Sequence, residues 1–162
     1  MQHLPDALLR TVEAVDGADT PLRLGALEDV LGYHVAQAAV VTGTSFMRHV
    51  GEPLALRKVE YSLLMLLLAN GPQSPKRLGQ ALALSAPNLT LLLDRLQVRG
   101  LIRRERSQTD RRSHNIVLTA DGLALAERGA AAVEAMEAEV TDRLSRAERL
   151  MLIELLRKVS GK

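Results

Sequence analysis

Residues 84–122 read LSAPNLTLLLDRLQVRGLIRRERSQTDRRSHNIVLTADG, and within this run the periodicity changes twice. Leu89, Leu92, Leu93 and Leu96 recur at three- and four-residue spacing, the stripe of a helix that buries one face. This predicts a helix over about residues 86–98, with Ser85 as its N-cap and Pro87, Asn88, Thr90, Leu91, Asp94 and Arg95 turned outward. After Gly100 the period falls to two. Residues 101–106 and 115–118 then read as two strands joined by a turn over 107–113. Thr119 follows as a helix cap, with Asp121 favourable in the first turn.

Immediately upstream, Ser74 and Pro75 suit the N-cap and first position of a short helix ending near Ala83. Two short helices on a tight connection, the second with small polar groups at its start, have the layout of a helix-turn-helix. The first turn of such a second helix must reach base edges in the major groove. Asn88 can bond an adenine edge bidentately, whereas Ser85 and Thr90 suit several bases, and Pro87 stands between them. A hairpin directly after a helix-turn-helix is placed as a wing, and its tip carries Asp110, Arg111 and Arg112. A thin cationic side chain suits the narrow minor groove, where negative potential is strongest. Asp110 is therefore expected to orient Arg112 by paired hydrogen bonds, with Arg112 in the minor groove and Arg111 on phosphate.

Charge points the same way. Between Arg95 and Arg112 there are seven basic residues, among them Arg95, Arg99, Arg103, Arg104 and Arg106, against Glu105 and Asp110, in a chain whose formal net charge is only +2. Basic charge concentrated on one element is the footprint of a polyanion binder, and Arg95 and Arg104 join the expected DNA-contacting set.

Working outward, residues 57–70 are apolar enough through YSLLMLLLA to form a helix buried nearly all round. Residues 26–50 predict one long helix with Leu27, Leu31, His34, Ala38, Val41 and Ser45 on one face, stopped by Gly51 and the residue before Pro53. Residues 1–24 form an N-terminal extension with a short helix and a Gly/Asp/Pro break. Beyond Thr119 an Ala-rich helix is expected through about residue 144. Ser145 and Glu148 then make a capping box for a last helix carrying Leu150, Ile153, Leu156 and Val159 on one side. The fold class is mainly α with a small β-hairpin wing. Its divisions are an extension (1–24), a dimerisation helix (25–52), a winged helix-turn-helix (53–118) and C-terminal dimerisation helices (119–162). The terminal helices hold more apolar surface than a small winged domain can cover, so the excess is expected at a two-fold interface.

The ordered features Asp94-Arg95-Leu96, Gly100-Leu101-Ile102-x-Arg104, Asp110-x-Arg112 and Leu118-Thr119-x-x-Gly122 resemble the winged helix-turn-helix of MarR-type transcriptional regulators. The resemblance covers about residue 25 to the end. It implies a homodimer on double-stranded DNA at a pseudo-palindromic operator, with residues 85–99 in the major groove and Arg112 as the minor-groove arginine. Leu91 departs from the pattern, standing where members often carry a basic or polar residue that faces DNA. Similar proteins often release DNA on binding small aromatic acids, and Tyr33, His34, Phe46, Arg48, His49 and Tyr61 are the groups here that would suit such a ligand. The expected function is a dimeric sequence-specific regulator, a repressor relieved by an aromatic carboxylate. The alternative is a dimeric winged-helix interaction scaffold without operator binding.

Composition removes other classes. The 162 residues include no cysteine, which excludes disulfides, thiolate metal sites and thiol-based peroxide sensing. No tryptophan is present, unlike the urate-responsive branch of the resembled family. His3, His34, His49 and His114 lack ligand spacing, so neither a metal nor another cofactor is expected. No HExxH, GxxxxGK[ST] or G-x-S-x-G occurs, which argues against an enzyme. The start MQHLPDALLR has no signal-like charge and apolar pattern, and no apolar run approaches the ~18 residues of a spanning helix. A cytoplasmic protein without membrane contact is expected.

Overall fold

A computed structural model describes residues 21–106 and 114–161. Its helices are α1 (Leu31–Phe46), α2 (Lys58–Asn70), α3 (Pro75–Leu82), α4 (Ala86–Val98), α5 (Ala120–Ala131), α6 (Val133–Thr141) and α7 (Arg146–Val159). Strands β1 (Ile102–Arg106) and β2 (His114–Leu118) pair antiparallel between α4 and α5, with Ile102 opposite Leu118 and Arg104 opposite Ile116. Gln73, just before α3, exchanges two backbone hydrogen bonds with Ile116, at 2.8 and 3.1 Å, and so adds a one-residue third strand to the wing. The chain is thus mainly helical with a β-hairpin wing. Among the described residues no helix is long and apolar enough to cross a membrane.

The core sits around α2, whose Leu63, Leu64 and Leu67 are buried and which has no exposed residue from Val59 to Leu68. Leu78 of α3, Leu89, Leu92, Leu93 and Leu96 of α4, and Ile102 and Ile116 of the wing close over it. Each fully buried leucine contributes roughly 1.5–3 kcal/mol. Four of them on one stripe therefore fix the rotation of α4 more firmly than any surface ion pair at ~0–1 kcal/mol.

The caps explain most boundaries. Ser74 accepts the Arg77 N–H with Pro75 at the start of α3, Thr119 accepts the Gly122 N–H, and Ser145 and Glu148 form the reciprocal box at α7. Ser85 occupies the N-cap position of α4, but its side chain makes no capping bond.

The expected helix over 26–50 is interrupted. A 3-10 turn at Gly25–Asp29 ends in an extended Val30, α1 runs to Phe46, and a π-helical turn follows at Met47–Gly51. The wider turn brings Gly51 into the core, where an added Cβ would stand 2.7 Å from the Met47 sulfur and 3.2 Å from the Phe46 ring. Gly51 is thus a close-packing residue at the end of the helical run, and Ala55, four residues on, takes the left-handed region at φ 50°. The long helix expected after Thr119 likewise breaks at Ala132 into α5 and α6. The expected N-terminal helix lies outside the described residues.

Candidate nucleic-acid interface

Two anchors hold α4. At its C-terminal end Gly100 takes φ 69° and Leu101 N–H reaches back to Leu96 O at 3.0 Å, so the helix stops and the chain enters β1. Arg99, at the C-cap, donates to Glu60 at 3.2 Å. Glu60 is 4% exposed and its same oxygen accepts the Arg57 N–H at 2.9 Å. A buried carboxylate held this way ties the end of α4 to the start of α2, and removing the arginine would leave an uncompensated charge inside. Arg99 therefore belongs to the scaffold, although the sequence counts it with the basic cluster.

At the other end the α3–α4 turn passes through Ala83 in the left-handed region, and Leu84 N–H bonds Gly79 O at 3.0 Å. Gly79 lets the helices approach, since a Cβ there would meet Leu89 at 3.3 Å. Ser85, Pro87, Asn88, Thr90 and Arg95 all lie exposed on the free side of α4, with Leu91 at 62% exposure among them. The Thr90 hydroxyl donates to Ala86 O at 3.0 Å, which leaves it an acceptor toward solvent. Asp94 would repel a polyanion from this face, but Arg104 of β1 pairs with it and joins α4 to the wing. Arg103 pairs with Glu105 in the same strand. Lys76, Arg77, Arg95 and Arg106 are exposed and make no ion pair among the described residues. The tip residues Asp110, Arg111 and Arg112 lie outside the described residues.

The base of the wing is seated by Thr119. Its hydroxyl donates to Gly100 O at 2.6 Å and accepts from Gly122 N–H at 3.0 Å, while its own N–H bonds Leu101 O at 3.1 Å. The Thr119-x-x-Gly122 spacing is thus the docking of α5 onto the α4–β1 turn.

A separate cleft of about 230 Å³ lies between α1, α2 and α6, lined by Phe46, Lys58, Tyr61, Met136 and Glu137 among others. Phe46 and Tyr61 meet edge to face with centroids 5.6 Å apart. Burial pushes the Tyr61 phenol up, and the Glu137 carboxylate adds to the shift, so the group stays neutral. Lys58, which sequence spacing did not single out, places its ammonium over Gly43, 2.5 Å from where a Cβ would stand. Arg48 and His49 instead converge on Glu139 of α6, which also takes a hydrogen bond from the buried Ser45. The His49 hydrogen bond, then the Arg48 charge and Ser45, hold the Glu139 carboxyl below its usual range despite partial desolvation. Tyr33 and His34 sit at the start of α1, where His34 bonds Glu28 O at 2.8 Å. Of the six residues expected to suit an aromatic ligand, Phe46 and Tyr61 therefore share a cleft and the other four line different places. No His, Asp and Glu group suited to a metal occurs among the described residues.

Comparison with known proteins decides what this arrangement is. The family model described as MarR family matches residues 56–114, the span from α2 into the wing. The solved transcriptional repressor CouR, bound to a 23-mer DNA duplex, is 33% identical, with a TM-score of 0.78 over 87% of this chain and 99% of that one. The chain belongs to the MarR family. A second structure of CouR, bound to p-coumaroyl-CoA, matches this MarR-family chain at 30% identity and a TM-score of 0.76, over 86% of it and 98% of that chain. The organic hydroperoxide resistance transcriptional regulator of Bacillus subtilis is 41% identical over 69 residues, 43% of this chain and 47% of that protein. Like these relatives, this MarR-family chain is a transcriptional regulator.

Proposed function

We propose that the chain is a homodimeric repressor that binds a pseudo-palindromic operator and releases it when a small aromatic carboxylate enters the α1–α2–α6 cleft. The observation that carries the DNA reading is α4 itself, held by four buried leucines and presenting Ser85, Pro87, Asn88, Thr90 and Arg95 on its free face. Arg104 joins that face from β1; Asp110, Arg111 and Arg112, outside the described residues, complete the set on the sequence reading, with Arg112 assigned to the minor groove. CouR bound to DNA lends weight to the same use of the fold. Support for the dimer comes from α7, in which not one residue is buried although Leu150, Met151, Ile153, Leu155 and Leu156 are all apolar.

The test is fluorescence anisotropy with labelled DNA from upstream of the protein's own gene against a scrambled duplex. Wild type is expected to prefer the genuine sequence. Arg112→Ala should weaken binding about 10-fold or more, in line with the ~1–3 kcal/mol of a good specific contact, while Arg128→Ala, exposed on α5, should bind like wild type. Equal binding by the two variants would remove the wing from the interface.

For the ligand, a cleft of about 230 Å³ is smaller than the ~300–1,000 Å³ of drug-sized sites and suits a single aromatic ring. Phe46 and Met136 offer the apolar slot, Lys58 the cation for a carboxylate, and Tyr61 a neutral phenol. The cleft joins α1 and α6 to α2 of the winged domain, so a ligand that binds one spacing of the two recognition helices better shifts the dimer toward that spacing. Titrating benzoate- or cinnamate-like acids into the DNA complex should release the DNA from wild type. Lys58→Ala should need about 10-fold more acid or more, the loss of one charge-assisted contact. Equal sensitivity of the two proteins would move the carboxylate elsewhere.

A further inference from the structure

We infer that Leu91 is a base-reading residue, and that what it reads is the C5-methyl group of thymine. The inference rests on the operator-binding reading above and assigns part of its sequence preference. On a helix of 3.6 residues per turn, Pro87, Leu91 and Val98 fall within about 40° of one another, directly opposite the buried leucine stripe. They form the ridge of α4 facing away from that stripe, with Leu91 62% and Val98 89% exposed, and these two with Asp94 flank a cleft shared with Ala55, Leu56 and Arg57. Asp94, the polar residue on that ridge, is drawn aside into its pair with Arg104. The exposed ridge of α4 opposite its buried stripe is therefore largely apolar.

A leucine offers phosphate nothing and base-edge donors and acceptors nothing. The one apolar group that the floor of the major groove presents is the thymine methyl. Residues near the start of a recognition helix are those that reach base edges. Val98 stands about 10 Å further along the axis at 1.5 Å per residue, beyond that zone, so Leu91 is the ridge residue that arrives. Charge fits the same docking, because Arg95 beside Leu91 makes no ion pair among the described residues and is available to a phosphate. The apolar residue that breaks the pattern of a charged or polar base contact is then a contact of different chemistry.

The test begins with duplexes selected from a random pool by wild-type protein. Each thymine of the enriched site is then replaced in turn by deoxyuridine, which removes only the methyl group. Burying one such group is worth about fourfold in affinity, so wild type should lose roughly fourfold at one thymine per half-site and about 15-fold when both symmetry-related positions are changed. Leu91→Ala should bind the thymine and deoxyuridine duplexes alike, whereas Leu91→Met, which keeps an apolar tip, should retain the discrimination. Both variants alter an exposed side chain, and unchanged circular dichroism and melting would show that the fold is intact. Enriched half-sites without thymine, indifference of wild type to every replacement, or undiminished methyl sensitivity in Leu91→Ala would each overturn the inference. Failure of wild type to enrich any sequence would instead remove the operator-binding reading, and the inference with it.

Discussion

Gly122→Ala, where α5 docks onto the winged domain, is expected to be strongly destabilising. A Cβ at this position would lie 1.8 Å from the Leu101 carbonyl oxygen and 2.8 Å from its carbon, far inside any tolerable contact. Backbone, not a flexible side-chain tip, occupies the space. Leu101 O cannot withdraw cheaply, because it accepts the Thr119 N–H at 3.1 Å and the preceding carbonyl, Gly100 O, accepts the Thr119 hydroxyl. Relief requires lifting α5 off the α4–β1 turn and breaking that set of bonds. A cost of about 3 kcal/mol or more follows, within the upper range for overpacking plus lost hydrogen bonds. At this chain length that lowers Tm by roughly 6–12 °C. Gly100→Ala is the contrast: its φ of 69° is strained for alanine but nothing lies within 4 Å of the added Cβ. It should cost only about 1 kcal/mol. Thermal melts of the two variants side by side check the difference, and equal Tm values would show that the Leu101 carbonyl is not a fixed wall.

A second large effect is expected from the joint substitution Ile153→Asp and Leu156→Asp on α7. Both side chains are exposed on the single chain, at 38% and 41%, so within one copy neither change opens a cavity. In the proposed dimer they would place four carboxylates in an apolar interface, which does not tolerate unpaired charge. The variant should sediment as one chain where wild type sediments as two. Its operator affinity should fall about 100-fold or more, because two linked half-site contacts become two independent ones. Retention of the dimer mass by the double variant would place the interface away from α7.

The winged core was legible because each of its elements announces itself by period. Leucine spacing gave α4 its rotation, the change to period two gave the hairpin, and Ser74, Thr119 and Ser145 marked three helix starts. Interruptions without glycine or proline were not legible. Val30 and Ala132 are ordinary helix formers or neutral residues, so local propensity carries no signal for the breaks there. The π-helical turn at Met47–Gly51 is likewise silent in the sequence, since the close packing of Gly51 against Met47 and Phe46 shows only in the folded chain. Long-range partners were equally hidden. Nothing near Arg99 in the sequence points to Glu60, nor near Ser45, Arg48 and His49 to Glu139, about ninety residues away. Arg48 and His49 suit an aromatic acid by chemistry as Phe46 and Tyr61 do, yet the helix sends them to Glu139 and not to the cleft. Lys58 is silent in the sequence, because an exposed lysine at a helix start carries no signal until the cleft beside it is seen.

The pairing of basic residues with acids inside the chain bears on how DNA binding depends on ionic strength. A duplex is sheathed in condensed counterions, and a cationic side chain that meets a phosphate releases some of them to bulk solution. An arginine already matched by a carboxylate brings less uncompensated charge and displaces fewer. In this chain Arg99, Arg103 and Arg104 are so matched, by Glu60, Glu105 and Asp94. Part of the positive charge that makes residues 95–112 conspicuous is thus matched inside the chain, Arg99 joining α4 to α2 and Arg104 joining α4 to β1. On the proposed operator-binding reading, the ion release is expected to come instead from cations on and beside α4 that make no ion pair among the described residues, Lys76, Arg77, Arg95 and Arg106 among them.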